Sequence, residues 1–168
     1  TMKKLHPFFL YLTAALILTS LTFKLHSQNC NYTWSQQNSG TTNQFTTVKA
    51  VNELVCWAGG ANVLLRVTTD GGNTWLNANP NPGVIAGMVN SIDASDGNNA
   101  WLTTTNSGST FIYKTTNGGT SWTSIIPAAP NFDIHGGQGG YNDAICVSPT
   151  NPNIVFIGGV ELIRTTNG

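Results

Sequence analysis

Two copies of one motif decide the fold: TTDGGNTW at residues 68–75 and TTNGGTSW at residues 115–122. A third copy begins with TTNG at residues 165–168, and the three copies start 47 and 50 residues apart. An acidic residue beside two glycines suits a metal loop, a phosphate-binding loop, a catalytic carboxylate or a structural turn. The repetition at nearly fixed spacing helps to choose among these four readings.

Short apolar runs surround each copy of the motif at matching distances, with Gly, Asn, Ser and Pro between them. Four strands in each period, named A to D, are typical of a β-propeller blade. The predicted A strands are 45–51, 88–92 and 144–147, and the predicted B strands are 54–58, 100–102 and 154–157. The predicted C strands run into each motif at 64–72, 112–119 and 162–168, and the predicted D strands are 74–77 and 121–126. The sequence therefore predicts an all-β protein, a β-propeller of four-stranded antiparallel blades, with about two and three-quarter blades of a larger ring.

The predicted domains are a signal peptide at residues 1–27 and an incomplete propeller at residues 28–168. Within the propeller we expect a ring-closing strand and linker at 28–44, blades at 45–79 and 80–127, and a partial blade at 128–168. The ring-closing strand is predicted because Tyr32-Thr-Trp-Ser35 resembles Asn73-Thr-Trp-Leu76, which starts a D strand. An open stack of blades would expose apolar faces and strand edges, so we expect the sequence to be the N-terminal part of a longer chain.

The N-terminus has the pattern of an export signal. Lys3 and Lys4 precede an uncharged apolar stretch of 16 residues, 8–23, which is shorter than the roughly 20 residues of a membrane span. The sequence therefore predicts a secreted or cell-surface protein with no membrane span after removal of the signal. An uncleaved N-terminal anchor is the alternative.

Charge and cysteine content restrict the partners. After residue 27 the sequence has four basic and seven acidic residues and no basic cluster, which argues against binding to nucleic acid. Cys56 and Cys146 lie in apolar runs and are expected to be buried, whereas Cys30 is the better candidate for a disulfide. No spacing of Cys and His indicates a metal, and we predict no cofactor.

The motif resembles the Asp-box, also called the bacterial neuraminidase repeat, whose pattern is Ser/Thr-x-Asp-x-Gly-x-x-Trp. The matching residues are Thr68, Asp70, Gly72 and Trp75 in the first box, Thr115, Asn117, Gly119 and Trp122 in the second, and Thr165 and Asn167 in the third. The resemblance implies a propeller in a superfamily that includes sialidases, xyloglucanase-type glycosidases, sortilin-type receptors and photosystem assembly factors. It implies no single activity.

The box residues are predicted to stabilise a turn. Glycines give the C–D turn its positive φ angles, and a short polar side chain accepts hydrogen bonds from the amides of the turn. Two of the three copies carry Asn instead of Asp, a change that a catalytic acid or a metal ligand would not tolerate. In the resembling propellers, ligands bind at the opposite rim, which is formed by the B–C and D–A connections.

The long D–A connection at residues 131–143 is the candidate site. Asp133 and Asp143 are weak candidates for a catalytic acid/base pair, and His135, Gln138 and Tyr141 are weak candidates for ligand contacts; a solvated glycine-rich loop is the alternative. Two functions stay open. One is a module that binds an extracellular protein or glycan; the other is a glycoside hydrolase, sialidase-like or xyloglucanase-like, with catalytic residues partly outside this sequence. After residue 27 the sequence has no Phe-Arg-Ile-Pro segment, and it lacks the three arginines that are expected of a sialidase.

The residue before the box differs between copies. Lys114 and Arg164 directly precede their Thr, whereas Arg66 lies two positions before Thr68. Side chains alternate along a strand, so Arg66 is expected on the opposite face of its blade unless a bulge intervenes.

Overall fold

The structure is a computed structural model that describes residues 33–79, 85–126 and 143–167. The chain divides into two compact units, residues 1–35 and 36–168. All described strands lie in the second unit, and only residues 33–35 of the first unit are described. The predicted all-β fold is confirmed: the sheets are antiparallel, and the two complete ones have four strands each.

The strands form three sheets in chain order, which we call blades 1 to 3. In each blade the spatial order of the strands follows the sequence. Blade 1 contains β1 (Phe45–Ala50), β2 (Cys56–Gly60), β3 (Leu64–Thr68) and β4 (Leu76–Asn77); blade 2 contains β5 (Met88–Ala94), β6 (Ala100–Asn106), β7 (Ser109–Thr115) and β8 (Thr123–Ser124); blade 3 contains β9 (Ala144–Val147), β10 (Val155–Gly158) and β11 (Leu162–Thr165).

The blades stack face to face, with a hydrophobic core at each junction. We call the face of a blade that turns toward the next blade its leading face, and the opposite one its trailing face. The core between blades 1 and 2 contains Trp57, Leu65, Val67, Ala78, Ile85, Val89, Ile92, Ala94, Ala100, Leu102, Tyr113 and Trp122. The core between blades 2 and 3 contains Trp101, Ile112, Ile145, Val147, Val155 and Ile157. Because strand side chains alternate, each blade contributes one set of residues to the core before it and another to the core after it.

Strand register shows which positions of the blades correspond. The residue directly before the box Thr pairs with a large aromatic residue in the second strand of two blades, Lys114 with Trp101 and Arg164 with Phe156. Both are also cation–π pairs, at 5.2 and 5.8 Å from the ring centroid. In blade 1 the residue at this position is Val67, which pairs with Trp57.

Arg66 lies on the trailing face of blade 1, as strand alternation predicts. It pairs with Ala58 on one side and with Asn77 on the other, and the register between β2 and β3 has no bulge. The position that holds Arg66 in blade 1 is therefore the one that holds Tyr113 in blade 2 and Ile163 in blade 3.

The prediction that both strand cysteines are buried is wrong for Cys146, which is exposed; Cys56 is half-buried, and burial raises the pKa of its thiol. Cys146 pairs with Phe156 and lies on the leading face of blade 3, which no described element covers. Both thiols are free. Cys30 lies outside the described residues.

Candidate functional site

The first box turn is closed by hydrogen bonds among its own residues. Thr68 Oγ1 donates to Asp70 Oδ1 at 2.8 Å and accepts from Gly72 N at 2.9 Å. The Asp70 carboxylate also accepts from Thr74 N at 2.9 Å and from Thr74 Oγ1 at 2.6 Å. Gly71 and Gly72 have φ angles of 73° and 90°, which disfavour a side chain at both positions.

The second box makes the same turn with an amide in place of the carboxylate. Thr115 Oγ1 donates to Asn117 Oδ1 at 3.0 Å, and this oxygen accepts from Ser121 N at 2.9 Å. Asn117 Nδ2 then donates to Ser121 Oγ at 2.8 Å, whereas the hydroxyl of Thr74 donates in the first box. A hydroxyl group can either donate or accept a hydrogen bond. The position of Asp70 and Asn117 in the box therefore accommodates both Asp and Asn. In the third box, Thr165 Oγ1 donates to Asn167 Oδ1.

Asp70 is ionised over the whole physiological pH range. The hydrogen bond from the Thr74 hydroxyl, then that from the Thr74 amide and that from Thr68, lower the pKa of Asp70 to about 2. Hydrogen bonds to a carboxylate favour its charged form. A carboxyl group with this pKa cannot act as a general acid near neutral pH.

The second box also seals the junction between blades 1 and 2. Trp122 Nε1 donates to Ala78 O at 2.8 Å, and the Trp122 ring meets Trp57 edge to face at a centroid distance of 6.1 Å. Gly119 lies so close to the same strand end that a Cβ atom would come within 2.3 Å of Ala78 O. The box therefore fixes its own turn and the position of the neighbouring blade.

Asp93 ties together the first strands of all three blades. It is 4% exposed, and its Oδ1 lies 2.8 Å from Lys49 Nζ on β1 and accepts from Ala94 N at 2.8 Å. Its Oδ2 accepts from Val147 N on β9 at 2.6 Å. Sequence reasoning missed this residue, although Lys49 and Asp93 stand at equivalent positions, opposite Trp57 and Trp101.

A third carboxylate, Asp96, stabilises the turn between β5 and β6. Partial burial acts to raise its pKa, but hydrogen bonds from the Asn99 side chain and from the amides of Asn98 and Asn99 lower it overall. The carbonyl oxygen of Asp96 accepts from Trp57 Nε1 at 2.9 Å, which connects this turn to blade 1. Like Asp70 and Asp93, Asp96 accepts hydrogen bonds from backbone amides of the fold.

Asp143 is the one residue of the candidate D–A connection that the structure describes. It is half-buried just before β9, and its Oδ2 accepts from Asn90 Nδ2 on β5 at 2.7 Å. Ser91 Oγ accepts from Ile145 N at 3.2 Å beside it. These contacts position Asp143 at the end of the D–A connection, directly before blade 3. The other four candidates lie outside the described residues: Asp133, His135, Gln138 and Tyr141.

Among residues 33–79, 85–126 and 143–167, no three His, Cys, Asp or Glu side chains come together in a group that could hold a metal ion. Over the same residues, no helix has the length and apolar character to cross a membrane.

A family model and several solved structures relate the chain to known proteins. The family described as "Photosynthesis system II assembly factor YCF48" matches residues 13–154. A solved structure described as "YCF48 bound to D1 peptide" has a TM-score of 0.55 and 23% identity, and the match covers 79% of this chain and 40% of that one. No curated protein matches the sequence.

Two further solved structures share the fold. The GH74 enzyme of Niastella koreensis has a TM-score of 0.56 at 19% identity, over 81% of this chain and 24% of that one. YCF48 from Cyanidioschyzon merolae has a TM-score of 0.56 at 19% identity, over 82% of this chain and 38% of that one. The chain thus spans less than half the length of each of these three proteins.

The family match and the blades together confirm the Asp-box propeller prediction in its general form. The resemblance to sialidases and sortilin-type receptors stays a prediction. The matched region begins before the first blade and extends into the third. The chain therefore belongs to the photosynthesis system II assembly factor YCF48 family.

Proposed function

We propose that this chain forms part of an exported or cell-surface propeller that binds a segment of a partner protein and catalyses no reaction. The observation that carries the proposal is the role of three of the four aspartates that the structure describes. Asp70, Asp93 and Asp96 each accept hydrogen bonds from backbone amides and stabilise turns or strand junctions. A glycosidase would instead need two carboxyl groups that face a bound sugar.

The relatives support a protein partner. The chain belongs to the YCF48 family, and one solved YCF48 is bound to a D1 peptide. A polar rim suits an extended peptide, because main-chain amides and carbonyls of the ligand need partners there. Asn90 and Asp143 provide an amide and a carboxylate at the start of β5 and β9, where the D–A connections meet the blades.

The alternative, a glycoside hydrolase, is favoured by one observation. The Asp143 carboxylate is half-buried and is oriented by Asn90 at 2.7 Å, as a catalytic carboxylate would be. Asp133 would then be its partner in acid/base catalysis, together with residues from the rest of the propeller. A glycan-binding module without activity is the third outcome, and the experiment below separates all three.

Export is proposed from the lysines and the apolar stretch of the N-terminus. Cell fractionation of the intact protein with a C-terminal tag tests it, because an exported protein is found outside the cytoplasm after cleavage of its signal. A full-length product confined to the cytoplasm would contradict the proposal.

The full-length protein would be applied to an array of overlapping peptides from exported proteins, to a glycan array and to a panel of polysaccharides. We expect binding to a subset of peptides, no glycan binding and no hydrolysis. The Asp143→Asn variant should weaken peptide binding, whereas the matched control Glu161→Gln, at an exposed position of blade 3, should not. Polysaccharide hydrolysis that Asp143→Asn abolishes would instead establish the hydrolase.

A further inference from the structure

A polar cavity of about 230 Å³ lies at the rim of blade 1 that is formed by the B–C and D–A connections. Three parts of the chain line it: the residues just before β1, the connection between β2 and β3, and the end of β4. Its polar residues are Thr41, Asn43, Asn62, Arg66, Asn77 and Asn79. The same rim carries Asn90 and Asp143 at the starts of β5 and β9.

Arg66 is the one charged residue among those that line the cavity. Its Nε donates to Ser39 O at 3.1 Å, and its Nη1 donates to Leu65 O at 3.0 Å and to Asn77 Oδ1 at 3.3 Å. All three acceptors are neutral. A guanidinium also has donors on its second terminal nitrogen, and the Nη2 of Arg66 has no acceptor among the described residues.

The charge of Arg66 has no counterpart nearby in the chain. The salt bridge of the described residues joins Lys49 to Asp93. Between residues 28 and 92 the sequence has two acidic residues, Glu53 and Asp70. Both lie at the opposite rim, in the connection between β1 and β2 and in the first box turn. A partly buried guanidinium in this environment favours an anion from outside the chain.

Asn79 brings an unused amide to the same cavity. It is 8% exposed, and its backbone N donates to Asn77 Oδ1 at 3.1 Å, the oxygen that also accepts from Arg66 Nη1. This shared acceptor holds Asn79 beside the guanidinium. Among the described residues the side-chain amide of Asn79 has no hydrogen-bond partner. A buried amide without a partner is costly, and an acceptor on a ligand removes that cost.

The backbone of the B–C connection is strained at the edge of the cavity. Asn62 and Val63 have φ angles of 55° and 57°, a left-handed conformation that a β-branched residue seldom adopts. Val63 N donates to Gly87 O at 3.0 Å, and the Val63 side chain packs on the core between blades 1 and 2. The neighbouring blade therefore holds this turn in place. Strain of this kind concentrates at ligand sites.

We infer that this cavity binds a carboxylate of the partner segment, with Arg66 Nη2 and the side-chain amide of Asn79 as its donors. A carboxylate matches the planar fork of a guanidinium and accepts from an amide N–H as well. The carboxylate comes from the C-terminus of the segment or from an acidic side chain. The inference names the chemistry of the segment, and in that respect it rests on the proposed function.

The test is an NMR titration of the full-length protein with small carboxylates. N-acetylglycine has the carboxylate of a chain terminus, and N-acetylglycinamide is its neutral counterpart. The α-amide of N-acetylaspartate has a side-chain carboxylate, so the tighter of the two acids identifies the source. We expect both acids to shift the side-chain resonances of Arg66 and Asn79. The Kd of N-acetylglycinamide should be at least about tenfold higher, because it lacks charge-assisted hydrogen bonds.

Variants assign the binding to the cavity. Arg66→Gln should raise the Kd of the acids at least about tenfold, whereas Arg164→Gln, which removes the same charge from an exposed position of blade 3, should leave it unchanged. Asn79→Asp keeps the size of the side chain and every contact of Arg66. It should also abolish binding, because its own carboxylate pairs with Arg66 and repels the ligand. Urea unfolding shows whether each variant is folded.

Equal affinity for N-acetylglycine and N-acetylglycinamide would overturn the inference. Equal losses in Arg66→Gln and Arg164→Gln, or shifts confined to residues outside the cavity, would also overturn it. In the peptide array, binding that Arg66→Gln leaves unchanged would overturn the carboxylate site and leave the partner-binding proposal standing. Carboxylate binding at Arg66 by a protein that binds no peptide would contradict the proposed function instead.

Discussion

Replacing Gly119 by alanine tests why the box needs a glycine at this position. One reason is the positive φ angle of the backbone, and the other is the lack of space for a Cβ atom. Gly119 has a φ of 80°, and its Cβ would lie 2.3 Å from Ala78 O and 2.7 Å from Ala78 Cβ. Gly108, in the turn between β6 and β7, has a φ of 82° and nothing within 4 Å of its Cβ. The two positions therefore share the strain of a left-handed residue and differ in the clash.

The magnitudes follow from these two terms. A non-glycine residue in the left-handed region costs about 1–2 kcal/mol, and this is all that Gly108→Ala should lose. Gly119→Ala adds displacement of the strand end that carries Ala78, which costs roughly a further 1–3 kcal/mol, as overpacking does. We therefore expect Gly119→Ala to destabilise the protein by about 2–5 kcal/mol.

Urea unfolding of the full-length wild type and both variants, followed by tryptophan fluorescence, measures the difference. Trp122 and Trp57 lie at the same junction, so their emission reports its opening. Equal loss of stability in the two variants would refute the claim that close contact between blades requires Gly119. If Gly119→Ala lost less stability than Gly108→Ala, the close contact between Gly119 and Ala78 would be contradicted.

Three further changes test other contacts. Asp93→Ala should cost about 2–4 kcal/mol in urea unfolding, because it leaves the buried amide of Val147 without its acceptor and breaks an ion pair; a loss under about 0.5 kcal/mol would contradict the bridging role. Asp70 has a pKa lowered from 3.8 to about 2, so its contribution to stability is complete above pH 4 and is lost as the pH falls from about 4 to 2. The Asp70→Asn variant should therefore lose less stability than the wild type over that range, and parallel acid unfolding curves would contradict this. Trp122→Phe removes the hydrogen bond to Ala78 O and should cost about 1–3 kcal/mol in thermal or urea unfolding; unchanged stability would show that water replaces the indole.

Local features were predictable because neighbouring residues encode them. The Asp-box places its donors and acceptors within four residues of one another, so its spacing alone indicates a turn between two strands. The face of Arg66 followed from strand alternation. Strand ends were less predictable: β6 continues to Asn106, beyond the predicted 100–102, because its Thr residues fit a strand that is buried between two blades.

Contacts between blades were not predictable, since they join residues about one period apart. The bond from Val147 to Asp93 spans 54 residues, and that from Trp122 to Ala78 spans 44. Cys146 sits in an apolar run that predicts burial, yet it is exposed, because burial depends on which blade covers the leading face. Of the candidate site, only Asp143 has a described environment, and its partner Asn90 was not predicted.

The sequence by itself determined the repeat, the all-β class and the chemistry of each box turn, because these depend on the order of polar, glycine and apolar residues along a few positions. Tertiary structure alone decided that Asp93 links three blades and that Gly119 fits against Ala78. The physical reason is that equivalent faces of successive blades stack on one another. The sequence pattern determines which face of its blade a side chain occupies, whereas the packing of the blades determines what lies against that face.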